Sequence, residues 1–197
     1  MNMKFYLKIS SMLVAAAFLS TLPVEAQTFR QTKQGITGTT QGMDIEIQFV
    51  SPEIVRVVKA PEGRSFTKKS LSVVKSPESM SVTTEKKGET VSLKSNAVRV
   101  DFNVETGRIS FFDKQGKALF TEKDYGAQFT PFNDAGNQTF SVRQAFLLDK
   151  NEAIYGLGQQ QVDDLNQRNH KHFMRQRALH ASVPIIQSTK GYGMFWD

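Results

Sequence analysis

The sequence predicts an all-β protein, an antiparallel β-sandwich preceded by a signal peptide. Short segments alternate apolar and polar residues, as strands with one buried face do. Glycine-containing turns join these segments at regular spacing. No uninterrupted 3.6-residue period persists over a dozen residues beyond the N-terminal segment. Many short strands with turns between them are typical of a β-sandwich.

Composition excludes several classes of function. The 197 residues are about one domain long, and the net charge is +6, from 25 basic and 19 acidic residues. The basic residues are scattered along the chain, so we expect no nucleic-acid partner. The absence of cysteine excludes disulfides, thiolate metal sites and cysteine nucleophiles.

Residues 1–26 have the build of a secretory signal peptide. Lys4 and Lys8 precede an apolar stretch, 9–22, and small residues precede a predicted cleavage before Gln27. The apolar stretch is short for a hydrocarbon core of about 30 Å, so we expect no membrane span. These features predict an exported, soluble protein, periplasmic or extracellular.

The segment after the predicted cleavage site leads into the first strands. Residues 27–42 are polar, rich in Thr, Gln and Gly, and without a period, so they predict a linker or a lead-in strand. Residues 43–49 carry apolar side chains at every second position, which marks a half-buried strand. A turn at Ser51 and Pro52 leads to a β-branched run, 54–58, which we interpret as the partner strand.

Further short strands follow, most of them separated by glycine turns or by polar residues. A turn at Thr106-Gly107 and another at Gln115-Gly116 indicate a meander. The predicted strands are 71–74, 81–84, 91–93, 98–104, 109–112, 118–120 and 140–148.

Two glycine-punctuated aromatic motifs bracket all three histidines. Residues 155–159 read Tyr-Gly-Leu-Gly-Gln, and residues 183–197 read Val-Pro-Ile-Ile-Gln-Ser-Thr-Lys-Gly-Tyr-Gly-Met-Phe-Trp-Asp. Glycines in these motifs permit a positive φ or a close backbone approach, so we expect a sharp turn with Tyr155 and Leu157 packed.

The two motifs and their separation resemble the N-terminal domain of glycoside hydrolase family 31, which contains α-glucosidases and α-xylosidases. The resemblance extends over about residues 42–197. It implies a galactose-mutarotase-like β-sandwich, 43–197, placed before a catalytic (β/α)8 barrel that this sequence lacks. An exposed apolar patch is then expected near Ile185, Phe195 and Trp196.

The resemblance also implies an exported retaining α-glycosidase that hydrolyses terminal α-linked glucose or xylose from oligosaccharides. Its partners would be the oligosaccharide substrate, through the full-length enzyme, and its own catalytic barrel. The nucleophile and the acid/base are aspartates of the barrel in this family, so no catalytic residue is expected in these residues. The chain alone is therefore predicted to be inactive.

The family resemblance places a loop of this domain at the rim of the barrel pocket, here about residues 173–180. Many family members carry an aspartate in that loop, whereas this sequence has Gln176, Arg177 and an alanine. The side chains of Gln176 and Arg177 can donate hydrogen bonds to sugar hydroxyls, and Gln160 is a third candidate. A solvated loop that packs against the barrel is the alternative.

The polar segment between the motifs also raises the question of a metal or acid pair. His170 and His172 would share one face of a strand, but zinc requires further ligands and the spacing matches no strong zinc pattern. We expect no metal site and no cofactor. Asp163 and Asp164 are neighbours whose side chains diverge in an extended chain, so they are interpreted as solvated loop residues rather than a glycosidase pair.

Two other functional classes stay open from the sequence. The first is a stand-alone carbohydrate-binding or mutarotase-like sandwich, with His172 or His180 as the acid and Glu152 as the base. The second is an exported sandwich of interaction type with no small-molecule site.

Overall fold

The structure, a computed structural model, describes residues 29–64, 69–161 and 164–197. Within these ranges the chain is all-β, and no helix capable of crossing a membrane is found there. The signal peptide predicted for residues 1–26 lies outside the described residues. The strands are β1 Phe29–Gln31, β2 Gly35–Thr40, β3 Met43–Ser51, β4 Ile54–Pro61, β5 Thr83–Lys87, β6 Thr90–Lys94, β7 Val98–Asn103, β8 Ile109–Asp113, β9 Ala118–Asp134, β10 Asn137–Leu147, β11 Ile154–Gln159, β12 Ala181–Ser188 and β13 Gly193–Phe195.

The first sheet is an antiparallel meander in the order β1-β2-β3-β4. Strand β3 is its centre, and Ile47 pairs with Ile36 on one side and Val57 on the other. Ile45, Ile47 and Phe49 are buried while the residues between them are partly exposed, which confirms the alternation predicted for this strand. The segment predicted as a linker or a lead-in strand contains β1 and β2.

The second sheet has six antiparallel strands in the order β10-β9-β8-β7-β6-β5. The sequence located β6, β7 and β8 within one or two residues because their inward-facing positions are consistently apolar. The predicted strand at 81–84 is displaced, since β5 begins at Thr83 and ends at Lys87.

A single apolar core lies between these two sheets, as in a β-sandwich. The largest fully buried side chains come from both layers, and each contributes about 1.5–3 kcal/mol on burial. They are Phe49, Phe102, Ile36, Ile47, Leu93, Ile109, Val91 and Val100. The antiparallel all-β prediction is therefore confirmed for the described residues.

One long ribbon extends beyond what the sequence pattern indicated. Only the first residues of β9 were predicted as a strand, yet β9 continues to Asp134. It pairs with β10 along this length, and Asn133 is paired with Gln138 near the end of the ribbon. The two-residue loop consists of Ala135 and Gly136, whose φ angles are 48° and 98°. Positive φ at both central residues is typical of two-residue hairpin loops. The distal part of the ribbon is exposed on both faces, so its sequence lacks the alternation that identifies a half-buried strand.

One predicted strand is wrong. Residues 71–74 form no strand, and the side chains of Leu71 and Val74 are 93% and 92% exposed. Their β-branched and apolar composition gives them a high strand propensity. A strand is stabilised by pairing with a neighbouring strand and by burial, and this segment has neither.

A third, three-stranded sheet, β11-β12-β13, carries the two aromatic motifs. It contacts the second sheet through aromatic rings. Phe120 of β9 lies 4.5 Å from Phe146 and 5.2 Å from Tyr192, measured between ring centroids, and Phe146 lies 6.2 Å from Trp196. These contacts hold the end of the described chain against the sandwich.

Candidate functional site

The Tyr-Gly-Leu-Gly motif forms a bulge within a strand rather than the expected sharp turn. Strand β11 pairs with β12, and the register shifts between Gly156 and Gly158. Both glycines and Leu157 have positive φ, at 119°, 82° and 62°. A Cβ atom at Gly158 would collide with the carbonyl oxygen of Ala181, so the bulge requires glycine there for space as well as for φ.

The packing expected for this motif is only partly found. Leu157 is half-buried, but the ring of Tyr155 is exposed. The bulge has a different consequence, because beyond it Gln159 pairs with Ala181 and Gln160 comes to lie beside His180.

His180 joins two of the three candidate residues. Its Nε2 lies 3.0 Å from Nη2 of Arg177, and its Nδ1 lies 3.2 Å from Oε1 of Gln160. A guanidinium only donates, so Nε2 accepts, and the neutral ring then donates its Nδ1–H to Gln160. The contacts therefore fit the tautomer that carries its proton on Nδ1.

Gln176 secures the same loop to strand β12. Its Nε2 donates to the carbonyl of Ser182 at 3.1 Å, and its Oε1 accepts from the backbone N–H of Ser182 at 3.1 Å. The hydroxyl of Ser182 donates to the carbonyl of Arg175 at 3.0 Å. Both ends of the Gln176 amide are thus used within the protein.

A count of hydrogen-bonding groups distinguishes the three candidates. Gln160 donates from Nε2 to the carbonyl of Leu157 and accepts from His180, so neither end of its amide lacks a partner. The Arg177 guanidinium has five N–H donors, and in the described part of the chain its one side-chain hydrogen bond is that to the His180 ring. Arg177 is therefore the candidate with the most donors left for a ligand.

The loop that carries these residues, 173–180, ends in a tight turn. The N–H of His180 donates to the carbonyl of Arg177 at 3.1 Å, and Leu179 has a φ of 68°. A left-handed leucine is strained, and such residues cluster where a loop has a functional conformation. Phe173 and Leu179 are 80% and 69% exposed, so the loop presents apolar groups beside its cations.

The other polar residues of the segment that the structure describes include two of the histidines and Asp164. His170 lies 3.4 Å from a carboxylate oxygen of Asp164, and the rings of His170 and His172 stack at 6.2 Å. Asp163 lies outside the described residues. Across residues 29–64, 69–161 and 164–197, no group of three or more His, Cys, Asp or Glu side chains is arranged to hold a metal ion.

Glu152 is a buried carboxylate, and both of its oxygens accept hydrogen bonds from the protein. Oε1 accepts from the hydroxyls of Ser188 at 2.5 Å and Tyr192 at 2.6 Å, and Oε2 accepts from the N–H of Asp149 at 2.9 Å. Burial by itself would raise the pKa of Glu152, but these hydrogen bonds outweigh it and place the pKa below its ordinary value. Burial and the same carboxylate raise the pKa of Tyr192.

This arrangement fits a structural role for Glu152 better than that of a general base. Both carboxylate oxygens already accept from protein donors and the side chain is buried, whereas a general base must lie within hydrogen-bond reach of the substrate proton. The sequence contains no local signal for this cluster, because Glu152 and Tyr192 are 40 residues apart.

The third sheet presents an apolar surface that nothing covers within the described residues. Ile185, Phe195 and Trp196 are 40%, 39% and 38% exposed, and Ile185 pairs with Phe195 across β12 and β13. Val183 on the same strand is also exposed. The exposed patch predicted near these residues is confirmed.

Comparison with known proteins identifies the family of this sandwich. Residues 44–197 match the family described as the glycosyl hydrolase 31 N-terminal galactose mutarotase-like domain. A curated α-xylosidase from Saccharolobus solfataricus is 29% identical in an alignment 165 residues long that covers 79% of this chain and 22% of that protein. An uncharacterized family 31 glucosidase from Pseudescherichia vulneris is 28% identical over 73% of this chain and 30% of its own length.

Solved structures agree with this result. A family 31 α-xylosidase from Xanthomonas citri has a TM-score of 0.80 and 31% identity, covering 85% of this chain and 19% of that one. A soil-metagenome α-xylosidase complexed with xylose has a TM-score of 0.75 and 25% identity, over 86% of this chain and 28% of that one. A Flavobacterium johnsoniae dextranase, at 22% identity and a TM-score of 0.69, shares the fold. The chain thus spans less than a third of the length of each of these relatives.

Proposed function

The chain belongs to glycoside hydrolase family 31 through its N-terminal galactose mutarotase-like domain, and from this premise we propose that it is the N-terminal portion of an exported α-glycosidase. The enzyme would release terminal α-linked glucose or xylose from oligosaccharides. The match over residues 44–197, shared with two α-xylosidases, is the observation that carries the proposal.

The contribution of these residues is to support a catalytic barrel and to shape its sugar pocket. The apolar surface of the third sheet, with Ile185 and Phe195 exposed, suits contact with a further domain. The loop 173–180 supplies hydrogen-bond donors at the rim, and Arg177 is the side chain proposed to meet the sugar.

The proposed chemistry is hydrolysis with retention of configuration. One aspartate attacks the anomeric carbon while a second protonates the leaving oxygen, and the second then deprotonates the water that releases the sugar. Both aspartates are proposed to lie in the barrel, outside these 197 residues. Glu122 and Glu152, the two fully buried carboxylates within the described ranges, have their oxygens engaged by protein donors.

The test is hydrolysis of aryl α-xylosides and aryl α-glucosides by the protein in its natural full length, beside the 197-residue chain alone. We expect the full-length protein to release the aglycone with retention of configuration, and the chain alone to stay at buffer background. Absence of turnover in both samples, or turnover by the chain alone, would contradict the proposal.

Export is tested separately. Amino-terminal sequencing of the protein recovered from outside the cytoplasm is expected to begin at Gln27. A protein retained in the cytoplasm with Met1 intact would overturn this part of the proposal.

A further inference from the structure

The segment that contains the rim loop is rich in cationic residues. Residues 165–180 contain no aspartate or glutamate, but they hold four cationic side chains and all three histidines of the protein. Most of these side chains are exposed. The cationic residues are Arg168, Lys171, Arg175 and Arg177.

The side-chain acceptors of this loop and of the neighbouring Gln160 each accept a hydrogen bond from the protein. Oε1 of Gln176 accepts from Ser182, Oε1 of Gln160 accepts from His180, and Nε2 of His180 accepts from Arg177. The rim therefore offers few side-chain acceptors to a ligand.

The donors are unequally distributed among the four cations. Nη1 of Arg168 donates to the carbonyls of Asp149 at 2.6 Å and Glu152 at 2.7 Å, so this side chain stabilises the folded backbone. Within the described ranges the Arg177 guanidinium makes a single hydrogen bond, to the His180 ring, and that bond orients it. The guanidinium of Arg175 lies 5.5 Å from the centre of the Phe173 ring, at the exposed surface.

A surface with donors and few acceptors discriminates between ligand groups. Sugar hydroxyls both donate and accept, so a neutral sugar is best bound by a mixture of donors and acceptors. A carboxylate only accepts, and an arginine fork binds it through two parallel, charge-assisted hydrogen bonds.

From these observations we infer that the rim loop binds the carboxylate of an acidic saccharide, with Arg177 as the principal contact and Arg175 as the second. The substrate class would be α-linked oligosaccharides that carry a uronic acid unit. The inference rests on the proposed function only for the position of the loop beside the glycosidic substrate. Binding of the acidic sugar is a property of the described loop itself.

The experiment is NMR titration of the isotopically labelled full chain, following backbone amides and arginine Nε–H signals. Glucuronic acid, glucose and acetate are the three probes at matched ionic strength and pH. We expect glucuronic acid to shift the signals of residues 173–180 with a dissociation constant at least tenfold below those of the other two probes. Equal responses to glucuronic acid and glucose would overturn the inference, and equal responses to glucuronic acid and acetate would reduce the site to nonspecific anion binding, which also overturns it.

Variants identify the responsible side chain. Arg177→Gln removes the charge and is expected to weaken glucuronic acid binding about tenfold or more, while Arg177→Lys keeps the charge and recovers part of the affinity. Arg143→Gln is the matched control, because Arg143 is an exposed arginine on β10 outside this loop. Unchanged amide spectra elsewhere show that each variant is folded.

This result is separable from the hydrolysis assay. If the chain shows no selectivity for glucuronic acid while the full-length protein hydrolyses aryl glycosides, only the acidic-substrate inference is contradicted. Selective glucuronic acid binding without any hydrolysis contradicts only the proposed enzyme activity.

Discussion

Lys59 of β4 and Glu122 of β9 form an ion pair between the two sheets of the sandwich, with Nζ 2.6 Å from Oε2. The two side chains are only 4% and 3% exposed. Lys59 also donates to the carbonyls of Gly107 and Tyr125, and Glu122 accepts from the N–H of Ile109. Burial lowers the pKa of Lys59 and raises that of Glu122, so each charge depends on its partner.

Removing the lysine alone should be strongly destabilising. Lys59→Met leaves the Glu122 carboxylate buried without a counter-charge, and we expect a loss of about 3–5 kcal/mol in the free energy of unfolding. The double variant Lys59→Met, Glu122→Gln should recover part of this loss, because a neutral amide can still accept from Ile109. Urea denaturation measures both. A loss below about 1 kcal/mol in the single variant would contradict the requirement for the pair.

The glycines of the β11 bulge should tolerate substitution less well than another left-handed glycine. Gly42 has a φ of 67° with open space around it, so Gly42→Ala should cost about 1–2 kcal/mol for the left-handed conformation. Gly158→Ala adds a collision with the carbonyl of Ala181, which should cost about 1–3 kcal/mol more. Urea midpoints of the two variants give the comparison, and equal costs would show that space is unimportant at the bulge.

The hydrogen bonds to Glu152 should make stability depend on pH. The pKa of Glu152 is lower in the folded protein than its ordinary value of 4.5, so the stabilisation is present above that value. It is lost as the pH falls through the folded pKa. Glu152→Gln should cost about 1.5–3 kcal/mol at pH 7, and the difference from wild type should narrow near pH 3. Urea unfolding at both pH values tests this, and a difference that widens in acid would have the wrong sign.

Trp196 offers a direct probe of how the third sheet is held. It is the single tryptophan of the chain, and its Nε1 donates to Oε1 of Gln144 at 3.0 Å. Gln144→Leu removes this acceptor, so we expect Trp196 fluorescence to become more accessible to acrylamide quenching. Gln138→Leu on the exposed ribbon is the control. Identical quenching in the two variants would mean that the Gln144 bond does not position the indole.

The apolar surface of the third sheet should bind a hydrophobic dye in the isolated chain. Ile185 and Phe195 face each other across β12 and β13 and are both exposed. The double variant Ile185→Ser, Phe195→Ser should therefore reduce dye fluorescence or self-association, whereas Val74→Ser, in the exposed segment between β4 and β5, should not. A dye-silent, monodisperse wild-type chain would count against an uncovered surface.

Much of the fold was predictable because a half-buried strand shows a local alternation of apolar and polar residues. The predicted positions of β3, β6, β7 and β8 agree with the structure for this reason. The distal part of β9 was missed because both of its faces are exposed, and 71–74 was assigned wrongly because apolar propensity was present without a partner strand.

The sequence predicted where the candidate site lies, but not which of its side chains is available to bind a ligand. The motif resemblance identified Gln160, Gln176 and Arg177, and nothing in their spacing indicated which of them has donors to spare. That distinction depends on two other residues. Ser182 is hydrogen-bonded to the Gln176 amide, and His180 is hydrogen-bonded to the Gln160 amide and orients the Arg177 guanidinium.

By itself the sequence determined the strand class, the glycine positions and the family, because period, backbone freedom and motif are properties of neighbouring residues. Only the tertiary structure decided which charged groups are paired in the interior and which remain available at the surface. Lys59 and Glu122 are 63 residues apart, and such a pair is created by the packing of one sheet on another, which no local pattern records.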